Sequence, residues 1–432
     1  MQLPSIEYLY ELFKQHPSVQ TDTRKLTLGD LYFALKGPNF NGNVFALAAL
    51  EAGASFAIVD EPIPYSKAID DRILQVDDVL STLQNLAKHH REQFKIPFIG
   101  ITGSNGKTTT KELVSTVLAS HFITYTTQGN LNNHIGVPLT ILSIKQDAQM
   151  AVIEMGANHL HEIASYCTYA QPNYGLITNC GKAHLEGFGS EEGVKKGKGE
   201  LFDFIKNYSG TAFVMSDYDY LNNLSAGIKE VISYGTHSGE IQALANTVNG
   251  FLKVEFTKGT SISCIQTKLV GDYNLPNVLA AVSIGTYFKV PDEKIIAALE
   301  NYTPSNSRSQ LTNWQGNKII LDAYNANPSS MQLAVDNFAK LNVSPKIVFL
   351  GGMKELGQTS IQEHQQLIHQ LAQHHWAQVV LVGGDFNVCQ HNYLYFETAL
   401  EARKWLLAQN FNGAHFLIKG SRGIKMEQLI HP

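Results

Sequence analysis

The sequence predicts an α/β protein of three domains: a small N-terminal α/β domain, a central domain built on a parallel sheet, and a C-terminal Rossmann-like α/β domain. Three observations lead to this prediction. The chain has 432 residues, and at roughly 150 residues per domain this length corresponds to about three domains. Strand-like and helix-like segments alternate from residue 98 onward, which is typical of a parallel, doubly wound sheet. A second such series begins near residue 318.

The domain limits follow from changes in this pattern. Residues 1–95 combine short apolar runs with loops and contain no phosphate-binding loop of their own. Residues 96–304 hold the main alternation of strands and helices, and within them residues 247–270 have the pattern of antiparallel strands. A short polar stretch that contains proline, residues 303–310, marks the boundary to the third domain, residues 305–432.

Each element is predicted from its apolar period and from the residues that bound it. Apolar runs of about five residues that end in glycine or polar residues predict buried strands. Longer segments with an apolar face repeating every three to four residues predict helices. The predicted strands are 31–35, 56–59, 98–102, 151–155, 174–178, 211–215, 318–322, 346–352, 379–384 and 415–420. One predicted helix begins near residue 107. The other predicted helices span residues 191–205, 274–288, 292–300, 329–340, 364–375 and 398–409.

Composition and charge exclude several classes of function. The formal net charge is -5 and the pI is near 6.3, without blocks of like charge, which argues against a nucleic-acid surface. No apolar run approaches the roughly 18 residues that a membrane span needs, and the N-terminal residues do not resemble an export signal. The four cysteines lie far apart and lack metal-ligand spacing, so we expect reduced thiols and a cytoplasmic protein.

The segment GITGSNGKTTTKE, residues 100–112, follows a predicted strand, opens a helix and has the composition of a phosphate-binding loop. Glycines such as Gly103 and Gly106 let backbone N–H groups converge on a polyphosphate. Lys107 is placed to neutralise its charge and Thr108 to face a magnesium ion. The strict motif has one further glycine, so a coincidental turn is the alternative interpretation.

Other candidate side chains follow predicted strands of the same sheet. Glu154 lies near the end of the strand AVIEM, where open α/β sheets bind their ligands and a carboxylate can hold magnesium. His184 follows the next strand, and the helix after it carries Lys195, Lys196 and Lys198. A single residue of this kind is more often structural. Their joint placement after successive strands predicts a functional site.

Polar motifs elsewhere extend this site. The asparagine-rich segment TQGNLNNHIGVP offers neutral donors for an anionic or peptide substrate, with a simple turn as the alternative. Asn274 and Asn277 share one helix face, where they can contact an adenine or a neighbouring loop, or else belong to an ordinary capped helix. Arg308 enters from the third domain, where an arginine can stabilise a phosphoryl transition state, and Ser421 stands at a helix start.

With these segments in order, the chain resembles the Mur ligase family over essentially its whole length. The motifs TDTR with ALKG, GNLNN, GANH, AHLEGFGS, YNANP and KGSR occur in the order typical of the members that add a dipeptide. The phosphate-binding loop and Glu154 alone would identify only the wider family. The resemblance rests on the whole set of motifs.

The resemblance implies an ATP-dependent amide ligase that joins D-alanyl-D-alanine to UDP-N-acetylmuramoyl-tripeptide through an acyl phosphate, the last cytoplasmic step in making the peptidoglycan precursor. It implies a UDP-binding N-terminal domain, two magnesium ions beside ATP in the central domain, and a monomeric enzyme without nucleic-acid or membrane partners. The implied catalytic residues are Lys107, Glu154, His184, Lys198 and Arg308. The implied ATP-binding residues are Gly103, Ser104, Asn105, Gly106, Lys107, Thr108, Thr109, Asn274, Asn277, Arg308, Asp322, Tyr324, Asn325 and Asn327. The implied substrate-binding residues are Thr23, Arg24, Lys36, Gly37, Asn130, Asn132, Asn133, Lys419, Ser421 and Arg422. The implied magnesium ligands are Thr108, Glu154, His184 and Lys198 as a CO2-derived carbamate.

Lys198 matches the lysine that this family carbamylates, because Gly-Glu-Leu-Phe follows it, although Lys195 and Lys196 are rivals for the position. A carbamate replaces a cation by an anion, which magnesium favours. Two positions depart from the family pattern. His134 stands where relatives often carry an acidic residue, and Gly352 stands where many have aspartate, so no functional carboxylate is expected at that point.

Three alternatives compete with this interpretation. A Mur ligase that adds the third residue is the nearest, but the DNPR motif expected of that enzyme is absent. A ligase resembling folylpolyglutamate synthetase is more distant, and TDTR with ALKG favours a UDP-sugar substrate instead. A nucleotide-binding scaffold without ligase activity is the third, and the complete set of phosphate and metal residues argues against it. Meso-diaminopimelate and lysine both remain open as the third residue of the tripeptide.

Overall fold

The computed structural model describes residues 3–63, 71–248, 250–304 and 308–431. Part of the predicted boundary at 303–310 lies outside the described residues. None of the described helices combines the length and the apolar character that a membrane crossing requires. The chain divides into two compact units. The first comprises Met1–Gly100, Phe122–Gly156 and Glu162–Gly175, and the second comprises Ile101–His121, Ala157–His161 and Leu176–Pro432.

The N-terminal segment forms a four-stranded parallel sheet with helices around it. Its elements are α1 (Ile6–Gln15), β1 (Val19–Gln20), β2 (Leu31–Phe33), β3 (Lys36–Gly37), β4 (Phe40–Asn41), α2 (Ala46–Glu51), β5 (Phe56–Val59), β6 (Ile73–Gln75) and α3 (Val79–Arg91). The strand order is β1-β2-β5-β6, and β3 and β4 form a separate antiparallel pair. Helix α1 begins after Ser5, whose hydroxyl accepts a hydrogen bond from the Tyr8 backbone N–H, as expected of an N-cap.

Arg91, the last residue of α3, explains why the first unit reaches beyond the N-terminal segment. Its guanidinium donates to the backbone oxygens of Ala170 and Gln171 at 3.0 and 2.9 Å, and it stacks 3.8 Å from the centre of the Phe98 ring. Burial lowers the pKa of Arg91 to about 10. A buried arginine that satisfies several carbonyl groups fixes the segments that carry them. Residues 162–175 are therefore tied to α3.

The central segment contains a nine-stranded sheet. Its elements are β7 (Phe98–Thr102), α4 (Lys107–Ala119), β8 (Thr124–Thr126), α5 (Gly136–Leu142), β9 (Met150–Glu154), α6 (Glu162–Ala170), β10 (Tyr174–Ile177), α7 (Leu185–Phe188), α8 (Glu191–Asn207), β11 (Thr211–Met215), α9 (Asp219–Leu224), β12 (Glu230–Gly235), β13 (Ile241–Val248), β14 (Phe251–Lys258), β15 (Cys264–Gln266), α10 (Leu275–Tyr287) and α11 (Asp292–Asn301). The strand order is β15-β14-β13-β12-β11-β10-β7-β9-β8. Strands β13, β14 and β15 pair antiparallel, which confirms the prediction for that stretch.

The C-terminal segment forms a six-stranded sheet between two apolar layers. Its elements are β16 (Gln310–Trp314), β17 (Asn317–Asp322), α12 (Pro328–Lys340), β18 (Lys346–Gly351), α13 (Ser360–Leu371), β19 (Gln378–Val382), β20 (Leu394–Phe396), α14 (Ala399–Ala408) and β21 (His415–Lys419). The order is β16-β17-β21-β18-β19-β20, and every pair is parallel except β16 with β17. Two separate clusters of buried apolar residues contain alternate positions of β18. The predicted Rossmann-like layering is confirmed.

Candidate active site

The loop between β7 and α4 has the geometry of a phosphate cradle. Strand β7 is fully buried, and α4 begins at Lys107 directly after Gly106. Gly103 and Gly106 have φ angles of +143° and +79°, which only glycine adopts readily. The backbone N–H groups at the start of α4 lie at the positive end of the helix dipole. A polyphosphate is the group that this loop can bind.

A second loop, which follows β10, holds the cradle in shape. Thr178 Oγ1 donates to the backbone oxygen of Asn105 at 2.6 Å. The Ser104 backbone N–H donates to the Asn179 carbonyl at 2.8 Å, and the Ser104 hydroxyl donates to Gly181 O at 2.7 Å. A Cβ at Gly103 would lie 2.0 Å from the Thr178 hydroxyl. The two loops thus fit each other so closely that the first requires glycine.

The side chains of the cradle that carry charge or hydroxyl groups lie where the sequence predicts. Lys107 Nζ donates to the backbone oxygens of Gly103 and Ser104 at 2.6 and 3.2 Å, so the ammonium lies over its own loop. Thr108 is buried at the second position of α4, and Thr109 is partly exposed. A cation and a hydroxyl in these positions suit a phosphate and its magnesium.

Asn274 and Asn277, predicted near the adenine, are both buried and hydrogen-bonded to protein groups. Asn277 Nδ2 donates to Asn274 Oδ1 at 2.9 Å, and Asn277 Oδ1 accepts from Thr110 Oγ1 at 3.0 Å. A Cβ at Gly106 would lie 2.7 Å from Asn277 Oδ1. Asn277 therefore packs against Gly106 of the phosphate-binding loop. Contact of Asn274 or Asn277 with an adenine stays a prediction.

Asp322 and Lys419, predicted as nucleotide and substrate contacts, form an ion pair with each other. Lys419 Nζ donates to Asp322 Oδ2 at 2.6 Å and to the backbone oxygen of Asn325 at 3.2 Å. The two residues are register partners at the ends of β17 and β21, and Lys419 is 3 % exposed. The pair fixes the start of the YNANP segment. Direct contact of either side chain with a ligand remains a prediction.

Tyr324 lies close to two arginines that the sequence also selects. The guanidinium carbon of Arg308 is 3.6 Å from the centre of the Tyr324 ring, and that of Arg422 is 5.4 Å from it. Cations over an aromatic face are stabilised by the ring quadrupole, and arginine stacks there with its donors still directed outward. Three of the predicted contact residues are thus brought together in one cationic cluster.

The YNANP segment also contacts the phosphate-binding loop. Asn327 Nδ2 donates to Asn105 Oδ1 at 2.8 Å, and Asn327 caps α12. Close by, Lys182 donates its backbone N–H to Ser329 Oγ at 2.9 Å and its Nζ to Glu363 Oε1 at 2.8 Å. This contact brings together Asn105 and Asn327, two of the predicted ATP-binding residues. The sequence did not identify Lys182, Ser329 or Glu363, because these contacts join residues 147 and 181 positions apart.

His184 is held by a carboxylate that the sequence analysis missed. Its Nδ1 contacts Glu355 Oε2, and the His184 side chain is 15 % exposed. The hydrogen bond from His184 lowers the pKa of Glu355, and the positive charge of Lys107 adds to this effect.

The structure also explains why glycine stands at position 352, where many members of the family have aspartate. A Cβ at Gly352 would lie 2.5 Å from the Cα of Gly384. An aspartate does not fit there.

Lys198 is fully buried in the second unit. Its Nζ donates to the backbone oxygen of Ala157 at 2.7 Å and lies 4.9 Å from the centre of the Phe188 ring. Of the rival lysines, Lys195 pairs with Glu192 at 3.1 Å with a third of its side chain exposed. Lys198 is thus more buried than Lys195, and its reaction with CO2 stays a prediction.

The first unit contains the remaining candidates from the central segment. Glu154 is buried at the end of β9, its Oε1 accepts from Asn132 Nδ2 at 2.7 Å, and its backbone N–H donates to Thr127 Oγ1 at 2.9 Å. Asn133 Oδ1 accepts from the backbone N–H of Gly136 at 2.8 Å, which caps α5, while Asn130 is exposed. Asn132 therefore orients the carboxylate that is predicted to bind magnesium.

Two candidates of the N-terminal segment, Arg24 and Lys36, are exposed and paired with acidic residues. Arg24 donates to both oxygens of Asp22 at 2.9 and 2.8 Å. Lys36 Nζ lies 3.1 Å from Asp60 and 3.3 Å from Glu61. Thr23 belongs to the same turn as Arg24, and Gly37 follows Lys36 in an exposed hairpin. These residues are brought into two pairs, and their contact with a UDP group stays a prediction.

The predicted donors fit magnesium by their chemistry. Among the described residues, no group of three or more His, Cys, Asp and Glu side chains is arranged to hold a metal ion. The predicted set is instead a hydroxyl, a carboxylate and an imidazole, and magnesium binds through a few protein oxygens while keeping several waters. The Glu154 carboxylate held by Asn132 and the buried Thr108 hydroxyl supply such oxygens. His184 has one ring nitrogen engaged by Glu355, which directs the other away from that carboxylate.

Three family models match the chain in succession. The model described as Mur ligase family, catalytic domain, matches residues 17–91, the Mur ligase middle domain matches 101–285, and the Mur ligase, glutamate ligase domain, matches 307–422. The chain is 32 % identical over 425 residues to the UDP-N-acetylmuramoyl-tripeptide--D-alanyl-D-alanine ligase of Bacillus subtilis (strain 168), covering 95 % of this chain and 92 % of that protein.

Solved structures give the same result. MurF from Acinetobacter baumannii superposes with a TM-score of 0.87 at 32 % identity, covering 95 % of this chain and 92 % of that one. The MurF ligase from Thermotoga maritima in complex with ADP has a TM-score of 0.85 at 26 % identity, covering 95 % and 96 %. The predicted three-domain α/β architecture, with parallel sheets in its central and C-terminal domains, is confirmed.

Proposed function

The chain belongs to the Mur ligase family, and on that premise we propose that it joins D-alanyl-D-alanine to UDP-N-acetylmuramoyl-tripeptide with cleavage of ATP to ADP and phosphate. One observation carries the proposal beyond family membership. The phosphate-binding loop is hydrogen-bonded to the YNANP segment through Asn105 and Asn327, so the loop proposed to bind ATP and the C-terminal segment are in contact within the second unit. A ligase needs such a site, because the acyl phosphate must meet the amine before water reaches it.

The roles of the three domains follow from this reaction. We assign residues 1–95 to the UDP end of the substrate, residues 96–304 to ATP, and residues 305–432 to the incoming dipeptide. The exposed Arg24 and Lys36 support the first role, since their pairing with acidic residues keeps both cations oriented at the surface. We further propose a monomeric enzyme that acts in the cytoplasm, where ATP is available.

The reaction has two steps. A carboxylate oxygen of the tripeptide attacks the γ-phosphorus of ATP, the bond to the β-phosphate oxygen breaks, and ADP leaves. The amine of D-alanyl-D-alanine then attacks the carbonyl carbon of the acyl phosphate, inorganic phosphate leaves with the bond electrons, and the amine loses a proton. The first step is needed because an amine does not displace oxide from a free carboxylate.

The residues of the site would serve these steps in distinct ways. Backbone N–H groups of the cradle orient the phosphates, and Lys107 moves from its own loop carbonyls to the transferred phosphoryl group. Arg308, stacked on Tyr324, supplies a further cation for the transition state. The Asp322 and Lys419 pair holds the segment that carries Tyr324 in place.

Thr108, Glu154 and His184 are the residues that would hold the two magnesium ions, which would neutralise charge on the transferred phosphoryl group. We propose in addition that Lys198 carries a carbamate. Its burial supports this, because an uncharged amine reacts with CO2 and burial disfavours the ammonium. We expect Lys198→Ala to lose activity and to regain part of it with added short carboxylic acids. Unchanged activity without rescue would remove the carbamate from the mechanism.

The test of the ligase function is phosphate release from ATP that requires both UDP-N-acetylmuramoyl-tripeptide and D-alanyl-D-alanine, with the amide product identified by mass spectrometry. Phosphate release that ignores either substrate, without an amide product, would refute the assignment. Parallel assays with tripeptides ending in meso-diaminopimelate and in lysine identify the third residue, and the better substrate is the one with the higher kcat/KM.

A further inference from the structure

Glu355 occupies an unusual place in the loop after β18. It has a φ of +62°, a left-handed conformation that few residues other than glycine adopt. Its backbone oxygen accepts from the Glu186 N–H at 3.2 Å, and its carboxylate contacts His184 Nδ1. The loop therefore meets the His184 segment through both its main chain and its side chain. Strained backbone of this kind persists only where the surroundings fix it.

Hydrogen bonds and apolar packing within the C-terminal segment hold the loop that carries Glu355. The backbone N–H of Met353 donates to Nε2 of the buried His364 at 3.0 Å, and the N–H of Lys354 donates to Ser421 Oγ at 3.1 Å. Leu356 belongs to the buried apolar cluster of the C-terminal segment, and Leu185, next to His184, packs against the same cluster. The carboxylate of residue 355 is thus presented to the imidazole by a rigid support.

We propose that Glu355 is a positioning residue for His184: by accepting a hydrogen bond from the Nδ1–H, it fixes the tautomer in which Nε2 carries the lone pair and directs that lone pair toward magnesium. The inference rests on the proposed function, in which His184 binds one of the two ions. Histidines that bind metals commonly donate their other ring N–H to a carboxylate or a carbonyl, and loss of that partner weakens metal binding by about 10 to 100-fold. The contact of Glu355 with His184 is an arrangement of this type.

The carboxylate of Glu355 and the imidazole of His184 come from different segments of the chain. His184 follows β10 of the central segment, whereas Glu355 follows β18 of the C-terminal segment, whose neighbouring loops carry Ser421 and Tyr324. The imidazole is therefore oriented only while loop 353–357 lies against residues 184–186. The metal site would be complete when the part of the chain that reads the dipeptide is in place, which limits wasteful hydrolysis of ATP.

The experiment measures Mn2+ binding to the ADP complex of the full chain by electron paramagnetic resonance, for the wild type, Glu355→Ala and Glu355→Asn. Asparagine suits left-handed backbone, and its shorter side chain does not reach the imidazole, so it replaces the alanine variant if that one does not fold. Asp336→Asn is the matched control, because it removes a carboxylate that contacts His374 outside the site. Glu355→Gln, which keeps an acceptor, tests conservative rescue.

A second readout is the tautomer of His184. Protein labelled with 15N-histidine is measured at a pH where the imidazole is neutral, and the His184 signals are assigned by their loss in His184→Gln. We expect Mn2+ affinity to fall at least about tenfold in Glu355→Ala and Glu355→Asn, with mixed tautomers, a smaller effect in Glu355→Gln and none in Asp336→Asn. Wild-type affinity and a single tautomer in either folded variant would overturn the inference. A wild-type protein that makes no amide product would instead overturn the proposed function, so the two failures are distinguishable.

Discussion

Replacement of Gly103 by alanine tests how tightly the phosphate-binding loop is constrained. A Cβ at this position would lie 2.0 Å from Thr178 Oγ1, and the φ of +143° is one that side chains rarely tolerate. Backbone held in such a region costs about 1–3 kcal/mol in a residue other than glycine. The Thr178 hydroxyl must also move, although it donates to Asn105 O at 2.6 Å, and a lost hydrogen bond costs about 1 kcal/mol.

We therefore expect Gly103→Ala to lower the free energy of unfolding by about 2–4 kcal/mol, measured by urea denaturation. The loop has to shift to admit the methyl group, and a misplacement of about 1 Å can reduce a rate by about 100-fold. The turnover number for amide formation at saturating substrates should accordingly fall at least about tenfold.

Two comparisons separate the backbone strain in Gly103→Ala from the steric clash of the added methyl group with Thr178. Gly413 has a φ of +75°, and a methyl group added to it would have no atom within 4 Å, so Gly413→Ala measures backbone strain alone and should leave turnover unchanged. In a Thr178→Ala background the colliding oxygen is gone, and the further effect of Gly103→Ala should be smaller than in the wild type. Equal effects in both backgrounds would show that the Thr178 contact does not constrain the loop.

Three other predictions concern stability. Arg91→Ala should lower the free energy of unfolding, measured in urea, by about 3 kcal/mol, because buried carbonyl groups lose their donor. Arg91→Lys should recover only part of the lost stability. A loss below about 0.5 kcal/mol in Arg91→Ala would contradict the prediction. Lys419→Met should cost about 3–5 kcal/mol by leaving the largely buried Asp322 unpaired, and the double variant with Asp322→Asn should be more stable than the single one. Burial lowers the pKa of His90 and His364 below 6.5, so both stay neutral in the native state while the unfolded chain binds protons. Stability should then fall as the pH drops below about 6.5, and urea midpoints at pH 7.5 and 5.5 should differ less in His364→Gln than in the wild type; an equal difference would argue against this origin.

The parts of the site that local sequence encodes were predictable. The phosphate-binding loop depends on residues within ten positions of one another, so glycines, lysine and threonine at fixed spacing were sufficient to place Lys107 and Thr108 at the start of α4. The antiparallel stretch and the parallel sheets likewise follow from apolar periods within single segments. The choice of Lys198 over Lys195 and Lys196 as the carbamylated lysine stays a prediction.

The contacts between distant segments were not predictable in the same way. Asp322 and Lys419 stand 97 positions apart, and only the register of β17 with β21 makes them partners. Glu355 was missed because the family pattern points to the aspartate that is absent at Gly352, whereas the useful carboxylate lies three residues further on. Its left-handed backbone and its contact with His184 depend on tertiary packing, which no spacing rule contains.

The contact of Arg91 with residues 170 and 171 has a consequence for how the chain is made. The first compact unit is discontinuous and ends at Gly175, so it is not complete until the ribosome has synthesised α6 as well as the whole segment of α4, which belongs to the second unit. Arg91 therefore gains these two acceptors only after residue 171 has been synthesised. A chimera made by exchanging residues 1–95 between relatives would join an Arg91 from one parent to carbonyl groups from another, and a crossover after residue 175 is the better design.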